Sequence, residues 1–268
     1  MTHVYHTSAL LSRGTIITRY NRRVNALSRA PAFVAALLSM GAGAPPAALP
    51  ANDAAQHDAN VQRVQALLSD ANGTWLQQFK SLGALYAATD SAFFSQTVRK
   101  ACGSDIALTG SFYCPEERKI YFDLALLQKL SDDGALAYLV GHELGHHVQS
   151  LLGTTALVAQ ARSRSSPAVS ARTWMVAELQ ADCYAGIWLG SAIKRGLIHP
   201  GGALSVVLDA AAAASQSANA HLPAGAQAPD PVLTYGTAPQ RLAWLQRGID
   251  GGGINQCDTF GAEASGKL

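Results

Sequence analysis

The spacing of apolar residues along the chain predicts several helices and one short β region. From residue 61 to about residue 100, large apolar residues recur every three or four positions, which predicts helix with a break at Asn72-Gly73. Residues 111–114 and 119–122 are short runs rich in β-favouring residues, with a turn between them. The pattern therefore predicts a β-hairpin that follows the first helical region.

Further helical segments come after the hairpin. Residues 123–130 resemble a short helix, and either Asp132 or Asp133 is placed to cap the helix that follows. That next helix carries an apolar stripe made of Leu136, Leu139, Val140, Leu144 and Val148. Together with the hairpin, these segments predict a mainly helical α+β fold with a small β element beside the striped helix.

The remaining segments divide into helices and one loop-like region. Residues 175–188 form a second, mostly apolar helical stretch, and residues 239–247 form a short amphipathic one. Residues 209–214 predict an Ala-rich helix. Residues 152–173 are poor in large apolar residues, which predicts a loop or a mobile helical excursion.

The first 51 residues have the composition of a leader. Residues 1–29 contain five arginines and no acidic residue, and residues 30–52 contain no charge. Residues 32–40 match the apolar core of a signal peptide, and Ala44 or Ala51 fits a cleavage site. We expect export or membrane anchoring through this segment, then a polar linker at 52–60 and one domain at 61–268.

Composition narrows the class of protein. Of the 268 residues, 49% are hydrophobic and 14% are charged, which excludes a highly charged disordered chain. The net charge of +2 gives no reason to expect a nucleic-acid partner. A globular domain is therefore expected.

The striped helix also carries the pattern H-E-x-x-H. Residues four apart lie on the same helix face, so His142 and His146 can offer two imidazoles to one metal ion. Glu143 is placed to reach a water on that metal and to act as general base. His147 points about 100° away from His146 and is expected to support the site or to lie on the surface. The pattern indicates a zinc site.

A catalytic zinc site needs a third protein ligand. Glu178 and Asp182 lie four positions apart in the second apolar helix, where unused carboxylates are costly. We expect Glu178 to bind the metal and Asp182 to accept the free N–H of a ligand histidine. A simple pair of surface carboxylates is the alternative, although like charges at this spacing repel each other.

Several motifs in order resemble the bacterial family of putative neutral zinc metallopeptidases. These motifs are His142-Glu-Leu-Gly-His-His-Val-Gln149, Glu178-Leu-Gln-Ala-Asp-Cys183, Cys102-Gly-Ser104, Gly110-Ser-Phe-Tyr-Cys-Pro115, Gly236-Thr-Ala-Pro-Gln-Arg241 and Cys257-Asp-Thr-Phe260. The resemblance covers roughly residues 61–260. It implies a zincin-like zinc site in a largely helical domain, in a protein that is usually exported or membrane-anchored.

The chain departs from the family pattern at two single positions and in residues 209–214, where an Ala-rich segment replaces the acidic helix that the family often has. Ser111 stands where the family usually has proline, and Tyr235 stands where the family has histidine. If that histidine stabilises an oxyanion, the phenol of Tyr235 can take over by donating a hydrogen bond. Arg241 can contact either a substrate carboxyl group or a structural carboxylate, and we favour the structural role.

The four cysteines allow three ways of forming two disulfides. With an export leader, disulfides are more plausible than a second zinc site, because no C-x-x-C spacing is present. We expect Cys102 to pair with Cys114, and Cys183 with Cys257.

Taken together, the residues predict a zinc metallopeptidase that acts on a peptide or protein substrate. Zinc would be held by His142, His146 and Glu178, and the hairpin either binds substrate by strand addition or has a purely structural role. A non-catalytic, zinc-stabilised binding or assembly protein of the envelope is the alternative. Hydrolysis of a non-peptide amide is a third possibility.

Overall fold

A computed structural model describes residues 51–95, 97–103, 108, 110–130, 132–199 and 235–268, with side chains from Asp58 onward. The helices are α1 (Ala51–Ser81), α2 (Leu124–Leu127), α3 (Asp133–Leu152), α4 (Thr154–Arg162), α5 (Pro167–Lys194), α6 (Ala238–Gly251) and α7 (Thr259–Ala264). The strands are β1 (Asp90–Phe94), β2 (Phe112–Cys114) and β3 (Lys119–Asp123). This mainly helical α+β architecture, with a small sheet, is the one the sequence predicts.

Helix α1 begins before the predicted helical region, has no break at the predicted position and ends at Ser81, well before residue 100. The stretch predicted as a linker, residues 52–60, forms its first turns, and the helix continues through Asn72 and Gly73. Its buried positions, Val64, Leu68, Ala71, Trp75 and Phe79, are spaced three or four residues apart. Burial of this stripe against the core outweighs the cost of one glycine in the helix.

The sheet contains the predicted hairpin and one strand that the sequence pattern did not reveal. Strands β2 and β3 pair antiparallel, and β1 pairs with β3 in parallel, so the order is β1-β3-β2. Strand β1 lies within the region predicted as helix. Its pairing with β3 is non-local, and Phe93 stacks on Phe122 across that pair.

Helices α3 and α5 form the centre of the domain. The side chain of Asp132 caps α3 by accepting from the N–H groups of Gly134 and Ala135, as the sequence allows. The helices lie so close that a Cβ added at Gly145 would be 2.8 Å from the Ala181 carbonyl oxygen. This close approach brings the α3 histidines to the α5 carboxylates.

Helix α6 packs even more closely on α5. A Cβ at Gly248 would be 2.0 Å from the Cys183 carbonyl oxygen, so only glycine fits there. Thr237 begins α6 with a capping box that includes Gln240. The predicted helix at 239–247 is therefore present, with a few more residues at its ends.

Residues 152–173, for which the sequence predicted a loop or a mobile helical excursion, are largely helical. Gly153 has a φ of 81° and separates α3 from α4, and Ser166 caps α5 with Pro167 at its start. Here helix capping and turn residues decide the structure, and α4 contributes only Thr154 and Val158 to the buried set.

Two disulfides join the expected partners, Cys102 with Cys114 and Cys183 with Cys257. The second disulfide connects α5 to the segment before α7. No helix among residues 51–199 and 235–268 is long and apolar enough to cross a membrane. The predicted leader and the Ala-rich helix at 209–214 lie outside the described residues.

Candidate metal centre and active site

Three candidate ligands converge between α3 and α5. The Nε2 of His142 lies 3.2 Å from Oε2 of Glu178, and the Nε2 of His146 lies 3.5 Å from Oε1 of the same carboxylate. All three side chains offer a ligand atom within 4.8 Å of the others. The geometry therefore brings together the three residues that the sequence predicts as zinc ligands.

Hydrogen bonds at the other ring nitrogen set the tautomer of both histidines. His142 donates its Nδ1–H to Asp182 Oδ1 at 2.9 Å, and His146 donates its Nδ1–H to Gln149 Oε1 at 2.9 Å. The amide of Gln149 is oriented by its own donation to the Ala177 carbonyl at 2.7 Å. When the rings are neutral, as metal binding requires, both Nε2 lone pairs consequently point toward the Glu178 carboxylate.

Asp182 is held in a buried network, as well as supporting His142. Arg241 donates from Nε to Asp182 Oδ2 at 2.8 Å and from Nη2 to the Tyr138 hydroxyl at 2.7 Å, and Tyr138 in turn donates to Asp182. Burial alone would raise the pKa of Asp182, but Arg241 and His142 outweigh it and lower that pKa. Arg241 therefore has the structural role that the sequence favours.

The donor set fits a divalent cation. Two imidazole lone pairs and a carboxylate face one another, and such an arrangement is repulsive unless positive charge lies between them. Burial lowers the pKa of His142, but Asp182 and Glu178 outweigh it and raise that pKa to about 10. Two nitrogens and one oxygen are also the ligands of many catalytic zinc sites, which leave the fourth position open.

Glu143 and Tyr235 lie in the same cleft as the three ligands. They line a cavity of about 320 Å³ together with His142, His146 and Glu178. Burial raises the pKa of Glu143, although His142, His146 and the Tyr113 backbone N–H oppose it. Burial and the Glu178 carboxylate raise the pKa of Tyr235, so its hydroxyl stays protonated and can donate.

Comparison with known proteins identifies the family of the chain. The family described as "putative neutral zinc metallopeptidase" matches residues 36–260. The chain belongs to this family. It is 35% identical over 210 residues to "Uncharacterized protein YpfJ" of Escherichia coli strain K12, covering 76% of this chain and 72% of that protein. It is 35% identical over 216 residues to "Uncharacterized protein Mb2605" of Mycobacterium bovis, covering 75% and 70%. No solved structure matches the chain.

In this protein, strand β2 forms one wall of the cleft. Ser111, Phe112 and Tyr113 line the cavity, and β2 is the edge strand of the sheet on the side away from β1. His147 fixes this wall, because its Nδ1 lies 3.1 Å from the Tyr113 hydroxyl and its Nε2 donates to the Ala87 carbonyl at 2.7 Å. Burial lowers the pKa of His147 to about 4. His147 is thus buried and supports β2, and it does not lie on the surface.

Helix α4 forms another wall of the cleft. It lies in the region for which the sequence predicted a loop or a mobile helical excursion. Thr154, Thr155, Val158, Ala159 and Arg162 recur on one face of the helix and line the cavity. Trp174 joins them from α5. The sequence analysis also missed that Gln149 orients His146. The available signal was its position three residues after His146 on the same apolar helix.

Proposed function

We propose that the protein is a zinc-dependent peptidase whose metal is held by His142, His146 and Glu178. One observation carries the proposal: both histidines have their Nδ1–H groups engaged, so their Nε2 lone pairs face Glu178 in a cleft that also holds Glu143. A purely structural site would need a fourth protein ligand, and the described residues contribute three to this cluster.

In this proposal, the residues of the cleft have separate roles in peptide hydrolysis. A zinc ion bound there would supply Lewis acidity toward water and the scissile carbonyl. Glu143 accepts a proton from the attacking water and delivers it to the nitrogen of the leaving amine. Tyr235 donates a hydrogen bond to the carbonyl oxygen as negative charge develops on it.

A peptide substrate fits the walls of the cleft better than a small amide does. Strand β2 can pair with an extended peptide through backbone hydrogen bonds, which do not depend on side chains. Apolar side chains of Val158, Ala159 and Phe112 line the same cavity and can bury apolar side chains of a substrate. We therefore infer a peptide or an unfolded protein as substrate.

The two disulfides indicate a location outside the cytoplasm, because disulfides persist in oxidising compartments. We propose that residues 1–51 direct export. That proposal rests on the composition of the segment.

The test is cleavage of a mixed peptide library, read by mass spectrometry, with the zinc-loaded full chain. Glu143→Gln keeps the shape of the side chain and removes the base, so we expect about 10²- to 10⁴-fold slower cleavage. Zinc content should stay at one ion per chain. Glu263→Gln is the matched control, since Glu263 lies on α7, pairs with Arg172 of α5 and does not line the cavity.

Two outcomes would reject the catalytic role. Equal cleavage by the wild type and Glu143→Gln would remove Glu143 from the mechanism. One zinc per chain with no cleavage of any peptide by the wild type would support the non-catalytic binding or assembly role instead.

A further inference from the structure

The last residue of α4 brings one cation to the cleft. Arg162 lines the cavity together with the metal ligands, and Glu178 is close enough to influence its guanidinium. Arg162 is exposed to solvent as a residue; partial burial of its guanidinium lowers its pKa, and the Glu178 carboxylate opposes this effect. The arginine stays charged in either case, because its ordinary pKa lies above 12.

The guanidinium of Arg162 is held in place from two sides. Its Cζ lies 4.7 Å from the centre of the Trp174 ring, and its Nε donates to Ser170 Oγ at 3.0 Å. Trp174 also lies nearly parallel to the ring of His146, with 6.3 Å between the ring centres and 20° between the planes. A single indole ring therefore connects the guanidinium to a metal ligand.

No carboxylate in the described part of the chain forms an ion pair with Arg162, although Glu178 acts on its charge from a greater distance. The other cation of the cavity, Arg241, is bound to Asp182, whereas Arg162 has no ion pair with any described acidic side chain. Its Nη1 and Nη2 groups can donate four N–H bonds in a planar fork that matches a carboxylate. A fixed cation beside an apolar cleft is well suited to an anionic ligand.

We propose that Arg162 binds a carboxylate of the peptide substrate and so sets the specificity of the site. The proposal rests on the peptidase function given above. The His146 ring centre lies 6.3 Å from the Trp174 ring centre, which lies 4.7 Å from Arg162 Cζ, so the guanidinium is within about 11 Å of this candidate ligand. An extended peptide advances about 3.3 Å per residue, so the carboxylate would lie within about three residues of the scissile bond. It is either an acidic side chain or the C-terminal carboxylate of the substrate, and these two sources share the same chemistry.

Matched peptides built on one cleaved library sequence test this inference. In one set the peptide ends one to three residues after the scissile bond, and the free C-terminal acid is compared with the C-terminal amide. The other set keeps both ends blocked and compares Glu with Gln at each of three positions on either side. We expect kcat/KM to favour the acid member of at least one pair by about 10- to 100-fold.

In the variant Arg162→Gln, the ratio of kcat/KM for the acid member to kcat/KM for the neutral member should fall close to one. Arg162→Lys should keep part of the acid preference, because the charge remains while the planar fork is lost. Arg164→Gln is the matched control, since Arg164 is exposed just beyond α4 and does not line the cavity. It should keep the full preference. Thermal unfolding of each variant confirms that it is folded.

The outcomes separate this inference from the peptidase function. Equal kcat/KM for acid and neutral members in the wild type, or a preference retained in Arg162→Gln, overturns the role of Arg162 even if peptides are cleaved. If the wild type cleaves no peptide, the same acid and neutral pairs are made as mixed-sequence peptide pools, and their binding to the zinc-loaded Glu143→Gln chain is measured by calorimetry. Binding of the acid member alone, lost in Arg162→Gln/Glu143→Gln, supports the role, and equal binding of acid and neutral members rejects it.

Discussion

Asp182 holds the deepest part of the site together at the scale of single residues. It is fully buried and accepts hydrogen bonds from His142, Arg241 and Tyr138. The sequence pointed to Asp182 through its position four residues after Glu178. The partners Tyr138 and Arg241 lie 44 and 59 residues away along the chain. The sequence favoured a structural carboxylate as the partner of Arg241, but only the packing of α3, α5 and α6 identifies it as Asp182 and adds Tyr138.

The substitution Asp182→Asn should weaken zinc binding and destabilise the fold. The amide removes the charge that balances Arg241, and its NH₂ group meets the guanidinium donor to donor. We expect about 10- to 100-fold lower zinc affinity, measured by competition with a chelator. We also expect the free energy of unfolding, measured in urea, to be about 3–5 kcal/mol lower than in the wild type.

A double variant distinguishes the two roles of Asp182. Asp182→Asn/Arg241→Met removes the unpaired cation and should recover part of the lost stability without recovering zinc affinity. Asp250→Asn, at an exposed position on α6, is the control and should change neither quantity. Unchanged zinc affinity in Asp182→Asn would contradict the role assigned to its contact with His142.

At the scale of elements, the sequence predicted those parts whose pattern is local and strongly periodic. The helix with the H-E-x-x-H pattern and the hairpin β2–β3 were found because apolar spacing and turn residues mark them directly. Strand β1 was missed because only its distant pairing with β3 stabilises it. The break expected at Gly73 does not occur, since α1 buries Trp75 and Phe79 on the same stripe as Val64.

Two glycines in helices should respond to alanine in opposite directions. At Gly248 a Cβ would be 2.0 Å from a carbonyl oxygen of α5, so Gly248→Ala must push the helices apart. We expect it to lower the free energy of unfolding by about 1–3 kcal/mol or more. At Gly73 nothing lies within 4 Å of the new Cβ, and Gly73→Ala should raise that free energy by about 0.5–1 kcal/mol.

Urea unfolding of both glycine variants checks this contrast. A Gly248→Ala chain as stable as the wild type would show that the close approach of α5 and α6 is not required. A destabilised Gly73→Ala chain would contradict the uninterrupted course of α1.

At the scale of the whole molecule, a disulfide and a hydrogen bond connect the C-terminal segment to α5, the helix that carries Glu178. The Cys183–Cys257 disulfide spans 74 positions, and Gln180 donates to the Cys257 carbonyl at 2.9 Å. Gln180 also accepts from Gln149, which orients His146. The tail is therefore part of the support of the metal ligands, although it lies far from them along the chain.

Removal of this disulfide should destabilise the chain more than removal of the short one. In the loop-entropy account, Cys183→Ala/Cys257→Ala costs about 4 kcal/mol and Cys102→Ala/Cys114→Ala, which spans 12 positions, costs about 3 kcal/mol. Urea unfolding compares the two double variants. A smaller loss from the long loop than from the short one would contradict this ordering.

The central claim is that zinc lies between His142, His146 and Glu178 with one position free of protein ligands. Anomalous diffraction at the zinc absorption edge, from crystals of the zinc-loaded chain, tests it most directly. The account predicts one peak about 2.0–2.1 Å from both Nε2 atoms and close to a Glu178 oxygen, with a solvent molecule as the fourth ligand. A peak at any other site, or a fourth protein side chain bound to the ion, would contradict it.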